Sequence, residues 1–310
     1  MLKSYDDLLQ RRLRHINVTH DHASRAVWVE FIYKERPCFT TELLDDIWTA
    51  QRSISETAKA EYREDRSDRL LFQVITSADK QVFSLGGDLE YFITLIETKD
   101  REALLRYART CVDIQYASIT HYDIPFTTIA LVESEALGGG FEAALSANVL
   151  VAERKARFGF PEITFGMFPG MGALSLLIRK ITPGMARRLM MDNRVYTATE
   201  LYELGVVDVL APDGGGKAAV AGYIKRHTNA APGLHGFQAA VDRALPISYE
   251  ELLDVVELWV DAALQLSGKN RRLMAYFARA QIKRYASGDN KTRVTSSGPL
   301  PADHHWLLNQ

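Results

Sequence analysis

Two cysteines in 310 residues, Cys38 and Cys111, are too few for a disulfide framework, and neither has a Cys or His at metal-ligand spacing. The expectation is a pair of reduced, unlinked thiols. No stretch approaches the ~18 uninterrupted apolar residues of a membrane span. The opening Met1-Leu-Lys-Ser-Tyr-Asp-Asp7 has acids where a signal peptide has an apolar run. Export and membrane insertion are therefore not expected, and a cytoplasmic location is. An excess of one charge is missing too: 37 Lys+Arg against 39 Asp+Glu leave a net charge of −2. That balance lacks the basic footprint of a nucleic-acid binder. Disorder is excluded by the modest charge and the 47% hydrophobic content. There is no internal repeat and no G-x-S-x-G nucleophile elbow. Asp213-Gly-Gly-Gly-Lys217 falls short of a phosphate-binding loop and reads as a chain reversal.

What is present is material for a large core, with about three-quarters of the unfolded surface buried at this size. The first 25 or so residues are polar and locally basic (Arg11, Arg12, Arg14, His15) and read as a solvated helix or arm. Val27–Tyr33 and Leu70–Thr76 read as strands. Between them, residues 40–61 read as a helix capped by Thr40 or Thr41, with Leu43, Leu44, Ile47 and Trp48 on one face. After the loop Ser84-Leu-Gly-Gly-Asp88, a helical region in two pieces runs from Leu89 to about Thr120. Thr127–Val132 is a further strand, followed by Leu137-Gly-Gly-Gly140 and a helix to about Asn148. Strand, glycine turn and helix thus occur twice, which implies parallel strands with crossover helices. Thr197-Ala-Thr-Glu200 is a capping box whose helix Gly205 closes, with a strand from Val206 to Leu210. Tyr249–Tyr285 is helical again, and residues 286–310 read as a tail.

Four features fall at turns: Gly86-Gly87, Gly138-Gly139-Gly140, Glu142 two residues beyond that triplet, and Glu162 after Pro161. Each alone has an ordinary structural explanation. Together they describe a site. Glycine lets backbone N–H groups approach a ligand, and one N–H from each turn could grip a single carbonyl oxygen as an oxyanion hole. Two carboxylates alongside would serve as acid and base.

In this order and spacing the motifs resemble the crotonase (enoyl-CoA hydratase/isomerase) superfamily. Phe83–Leu89 resembles its first oxyanion loop, Ala136–Glu142 its second, and Phe160–Gly172 its second catalytic segment. The segments Cys38–Asp46, Val82–Leu89, Gly138–Ser146, Phe168–Ala173 and Glu257–Leu266 are, more narrowly, similar to the RpfF-type synthases of the diffusible signal factor.

The resemblance implies an α/β fold, the ClpP/crotonase spiral of repeated ββα units with a helical C-terminal part. It divides the chain into a core with an N-terminal arm (1–245), a helical trimerisation region (246–287) and a flexible tail (288–310). Oxyanion donors would be the N–H groups of Gly87 and Gly139, and the acid/base pair Glu142 and Glu162. An acyl slot would be lined by Leu137, Met171, Trp259 and Phe277. No cofactor or metal is implied. The implied activity is dehydration of a 3-hydroxyacyl group on acyl carrier protein, followed by hydrolysis of the thioester to a cis-2-unsaturated fatty-acid quorum signal. A plain enoyl-CoA hydratase or isomerase, and a protein that acts chiefly through a sensor or receptor partner, are the alternatives. Sequence alone does not assign the two glutamates; the arrangement preferred for dehydration puts Glu162 as base at Cα and Glu142 as acid at the 3-hydroxyl. A homotrimer is the expected assembly.

Overall fold

A computed structural model describes residues 13–288. Two sheets run side by side through the core. The larger has six strands in the order β1 (Ile16–Asp21), β2 (Ala26–Phe31), β3 (Phe72–Ser77), β5 (Thr127–Val132), β7 (Val149–Glu153) and β10 (Val209–Ala211). The smaller orders β4 (Val82–Ser84), β6 (Glu135–Leu137), β8 (Arg157–Gly159) and β9 (Val195–Thr197). Within the large sheet every pairing from β2 onward is parallel, as the strand–turn–helix rhythm requires. Each of β3, β5 and β7 is followed at once by a short strand of the second sheet (β4, β6, β8), so the repeated unit is ββα and the chain advances as the expected spiral.

The large sheet is buried on both faces, and β5 shows why: all six of its residues are buried. Ala130 and Val132 point into the main core, under α1 (Thr41–Arg63), α3 (Arg101–Ile119) and α4 (Gly139–Leu145). Ile129 and Leu131 point into a smaller core closed by Val220 and Ile224 of α8 (Gly216–Thr228).

Local sequence accounts for most helix ends. Thr40 caps α1 by accepting from the Leu43 N–H, and Asp88 and Asp100 do the same for α2 (Leu89–Thr98) and α3. The Thr197 capping box forms with both its hydrogen bonds, opening α7 (Ala198–Glu203). Between these lie α5 (Ala173–Lys180) and α6 (Pro183–Met191).

Three expectations need correction. The polar arm is in part an edge strand: Ile16 and Val18 alternate inward while Asn17 and Thr19 face out, and β1 pairs antiparallel with β2. The alternation is only two apolar residues long, too short to stand out from its polar neighbours. Arg11 and Arg12 lie outside the described residues. Trp48 does not share the buried face of α1 and is 37% exposed. The strand expected at Val206 starts at Val209, because Val206 and Val207 still bond back to the Leu201 carbonyl at the end of α7.

After α9 (Ala231–Ala244), the C-terminal helices α10 (Tyr249–Leu264) and α11 (Gly268–Gly288) turn back onto their own chain. Arg101 and Arg109 of α3 bind Glu257, and Arg101 also binds Asp261, holding α10. α11 packs on α2 and on the turn that carries Glu162. Apart from Gly288, the tail read at 288–310 lies outside the described residues. No described helix is long and apolar enough to cross a membrane.

Candidate active site

The two glycine turns are neighbours. A carbon attached at Gly139 would stand 3.4 Å from the Gly87 nitrogen, and one attached at Gly86 would stand 2.8 Å from the Gly139 nitrogen. Both nitrogens therefore front one small space. Their directions are set by the opposite edge of each peptide, because N–H and C=O of a trans peptide point apart. The Gly86 carbonyl accepts from the Phe39 N–H at 2.8 Å, which turns the Gly87 N–H the other way. The Gly138 carbonyl accepts from the N–H groups of Phe141 (2.9 Å) and Glu142 (3.1 Å), which does the same for Gly139. Gly139 is the first residue of α4, so its N–H has no carbonyl one turn back.

The first turn is braced from several sides. Tyr107 donates its hydroxyl hydrogen to the Phe39 carbonyl and accepts from the Asp88 N–H at 3.4 Å. Arg36 holds the Asp88 carboxylate at 2.7 Å. From α11, the Gln281 amide donates to the carbonyls of Leu85 (3.1 Å) and Gly87 (3.2 Å). Arg36, Tyr107 and Gln281 carry no motif, and their partners are far away in sequence, so nothing in the sequence marked them.

Glu142 is buried within α4. Its Oε1 accepts from the N–H groups of Met171 (2.9 Å) and Ala173 (3.1 Å), while its Oε2 is buried with no hydrogen-bond partner among the described residues. Glu162 reaches the same place from a 3-10 turn, Glu162–Phe165. A carbon on Gly138 would lie 2.5 Å from its Oε1, and Gly138 has φ +52°, so this position needs glycine for space and for conformation. The Glu162 residue keeps some exposure, but its Oε2 is buried and unpartnered. Gly140 is required for a third reason: a carbon there would stand 2.3 Å from the Ser84 carbonyl oxygen, where α4 presses on β4.

Burial pushes Glu142 up to about 7, against the pull of its two N–H donors. Burial, then the nearby Glu142 charge, pushes Glu162 up to about 8. The Glu142 charge reaches Glu162, so the two titrate as a pair and hold one proton between them from about pH 7 to about pH 8. Glu142, which alone has two N–H donors, is the one held as the anion.

That has a consequence for stability. Both folded values lie above the unfolded 4.5, so the native state keeps protons that the unfolded state has released. The stability involved is fully present below about pH 4.5 and is lost as pH rises through 7 to 8. Glu162→Gln is therefore expected to melt above the wild type in alkaline buffer, with the gap closing in acid. Thermal melts across the range check this, and parallel wild-type and variant curves would contradict it.

The four residues expected to line an acyl slot lie near this centre. Met171 holds Glu142 through its N–H. Trp259 is buried, its Cδ1 2.3 Å from where a carbon on Gly170 would stand, with its ring 5.2 Å from that of Phe92. The Leu137 carbonyl backs onto the Gly86 turn, 2.9 Å from a carbon placed there. Phe277, half-buried, packs its ring 5.6 Å from Phe165 at the end of the Glu162 turn. Both cysteines are unlinked, as expected; both are also buried, and burial pushes both thiols up. Among the described residues, no group of three or more His, Cys, Asp or Glu could hold a metal ion.

The enoyl-CoA hydratase/isomerase family matches residues 52–229, more than half of the chain. The chain is 31% identical over 173 residues to a fatty acid oxidation complex subunit alpha of Idiomarina loihiensis, covering 55% of this chain and 23% of that protein. It is 32% identical over 146 residues to a 2,3-dehydroadipyl-CoA hydratase of Escherichia coli, covering 47% and 54%. The chain thus spans about a quarter and about half of these two relatives. Its fold is similar to the crystal structure of an enoyl-CoA hydratase/isomerase from Xanthobacter autotrophicus Py2, with a TM-score of 0.68 and 20% identity over 90% of this chain and 99% of that one. The fold is the crotonase fold, and by the extent of the family match the chain belongs to the enoyl-CoA hydratase/isomerase family.

Proposed function

We propose that the chain interconverts 2-enoyl and 3-hydroxyacyl thioesters by adding or removing water. The observation that carries this reading is the pair of buried carboxyls with raised, unequal proton affinities, set beside two backbone N–H groups. The N–H groups of Gly87 and Gly139 hold the thioester oxygen and stabilise the enolate-like charge that develops there. Glu142, the anion, takes a proton from water as it adds to Cβ, and Glu162 delivers its proton to Cα. Dehydration is the reverse: Glu162 becomes the base at Cα and Glu142 the acid at the 3-hydroxyl, the assignment preferred from sequence. The resting protonation suits hydration, and the family match together with relatives such as the 2,3-dehydroadipyl-CoA hydratase supports a hydratase of fatty-acid metabolism acting on acyl-CoA. The purified chain is expected to hydrate crotonyl-CoA, seen as loss of enoyl thioester absorbance; no turnover of any enoyl thioester overturns the reading.

A second reading is the signal synthase, which dehydrates 3-hydroxyacyl-acyl carrier protein and hydrolyses the thioester. It is favoured by the segments similar to the RpfF-type synthases: Gly138–Ser146 and Phe168–Ala173 carry site residues, and Glu257–Leu266 supplies Trp259. Product separates the two readings, a free cis-2 acid against a retained thioester. In either case Leu137, Met171, Trp259 and Phe277 are proposed to contact the acyl group near the thioester. A cytoplasmic homotrimer is the proposed working form, with the division at 245 and 287 separating core, helical region and tail, and with a sensor or receptor protein as a regulatory partner in the signal-synthase case.

A further inference from the structure

The first glycine turn contains three successive peptides, Leu85–Gly86, Gly86–Gly87 and Gly87–Asp88. The Leu85 and Gly87 carbonyls accept from the Gln281 side chain at 3.1 and 3.2 Å, and the Gly86 carbonyl accepts from the Phe39 N–H. The Gly86 N–H donates to the Ser84 hydroxyl at 3.2 Å, and the Asp88 N–H to the Tyr107 hydroxyl. The group left over is the Gly87 N–H, the proposed oxyanion donor. A peptide turns as a rigid unit, so the middle one can swing only where its two neighbours let it. Gln281 pins both neighbours. Gly86 itself has φ +91°, and a glycine has little conformational preference of its own with which to hold the turn.

Gln281 is 5% exposed. Two carbonyl oxygens face its amide nitrogen, so each of its two N–H groups has one acceptor. The other end of the amide, Oε1, is buried with no hydrogen-bond partner among the described residues. An unpaired buried acceptor costs stability. A methionine would fill similar space without one, so packing does not account for a glutamine here.

The same stripe of α11 reaches the other catalytic turn. Phe277, about one helical turn before Gln281, packs on Phe165. Asn270 fills the space where a carbon on Gly166 would stand. Met274 and Ala278, between these contacts, are buried. One helix stripe thus touches the turn that carries Glu162 and, roughly 6 Å further along, the turn that carries Gly87.

We propose that Gln281 is a positioning residue of the oxyanion hole, through which α11 holds the Gly87 donor in register with the Glu162 acid. The proposal rests on the thioester reading above. Without the Gln281 donors the carbonyls on either side of the middle peptide lose their partners. That peptide then rocks, and its N–H is aimed less often at the charge developing on the thioester oxygen.

The test reads two variants in two assays, crotonyl-CoA hydration and the absorbance of bound dimethylaminocinnamoyl-CoA. The latter is a conjugated thioester whose band moves to longer wavelength when its carbonyl oxygen is hydrogen-bonded, a response that needs neither carboxyl. Gln281→Met, close in volume, removes both donors. It should shrink the red shift and lower kcat by roughly tenfold, less than the loss for a donor deleted outright. Butanoyl-CoA, which is saturated and does not turn over, should bind within a few-fold of the wild type. The pH profile should keep its limbs, because neither glutamate has moved. Gln281→Glu keeps the shape with at most one donor; its red shift should also fall short, and it reports even if the methionine variant fails to fold. A red shift equal to that of the wild type in either variant overturns the proposal. So does a pH profile displaced along with kcat, the sign that α11 has come away as a whole. If the wild type hydrates crotonyl-CoA but gives no red shift, the proposal falls and the hydratase reading stands. If it gives the red shift without hydrating, the hydratase reading falls and the red shifts of the two variants still decide the proposal.

Discussion

Glu162→Gln is expected to lower kcat for crotonyl-CoA hydration by 10²–10⁴, the usual range for a positioned acid or base. It should leave the binding of a saturated acyl-CoA within a few-fold of the wild type. Glutamine keeps the shape and cannot supply the proton that Cα needs. Glu142→Gln should fall by a similar factor, since it removes the group that takes the proton from water. The double variant should lose far less than the product of the two losses, because the carboxyls act as one unit. The pH profile is the sharper measurement. Activity needs one proton shared between two groups that titrate near 7 and 8, so kcat/KM should rise and then fall around pH 7 to 8. Those limbs belong to the pair. In Glu162→Gln the alkaline limb, which reports loss of the shared proton, should vanish. The remaining limb should stay near pH 7, because burial and not a second charge raises the Glu142 carboxyl. A bell of unchanged shape and position in both single variants would remove the carboxyl pair from the mechanism.

The elements legible in the sequence were those whose cause is local. Thr40, Asp88 and the Thr197 box are short-range hydrogen-bond devices, and each caps the helix that follows it. β5 was legible because burial on both faces demands six consecutive buried residues. The short strands β4, β6, β8 and β9, three residues each, were not. A three-residue strand has no period of its own; its pairing decides it. The same division holds at the site. Glycines and glutamates announced themselves as motifs. That Gly86 must face Phe39, that Glu142 rests on the Met171 and Ala173 amides, and that Gln281 reaches back from the last helix are tertiary facts with no local signature.

Gly139→Pro is expected to lower kcat by 10²–10³, the cost of losing one oxyanion donor, while α4 still forms. Proline suits this position for two reasons. Gly139 is the first residue of α4, where a missing N–H leaves no helical hydrogen bond unmade and the fixed φ of proline matches the helix. The preceding Gly138, at φ +52° and ψ −129°, is the mirror image of the extended conformation that a residue before proline adopts, and glycine takes either hand. The substitution thus deletes one hydrogen-bond donor from the site with little other change to the backbone. It also adds ring carbons, one 3.4 Å from the Gly87 nitrogen and one, Cδ, in the place of the amide hydrogen; Gly139→Ala is the companion that adds the first while keeping the N–H. If the amide of Gly139 holds the thioester oxygen, the proline variant should be slower than the alanine variant by at least tenfold in kcat/KM, because it lacks the donor and sets Cδ where that oxygen docks. Equal rates for the two variants would mean that crowding of the Gly87 turn, and not the Gly139 donor, is what the position controls.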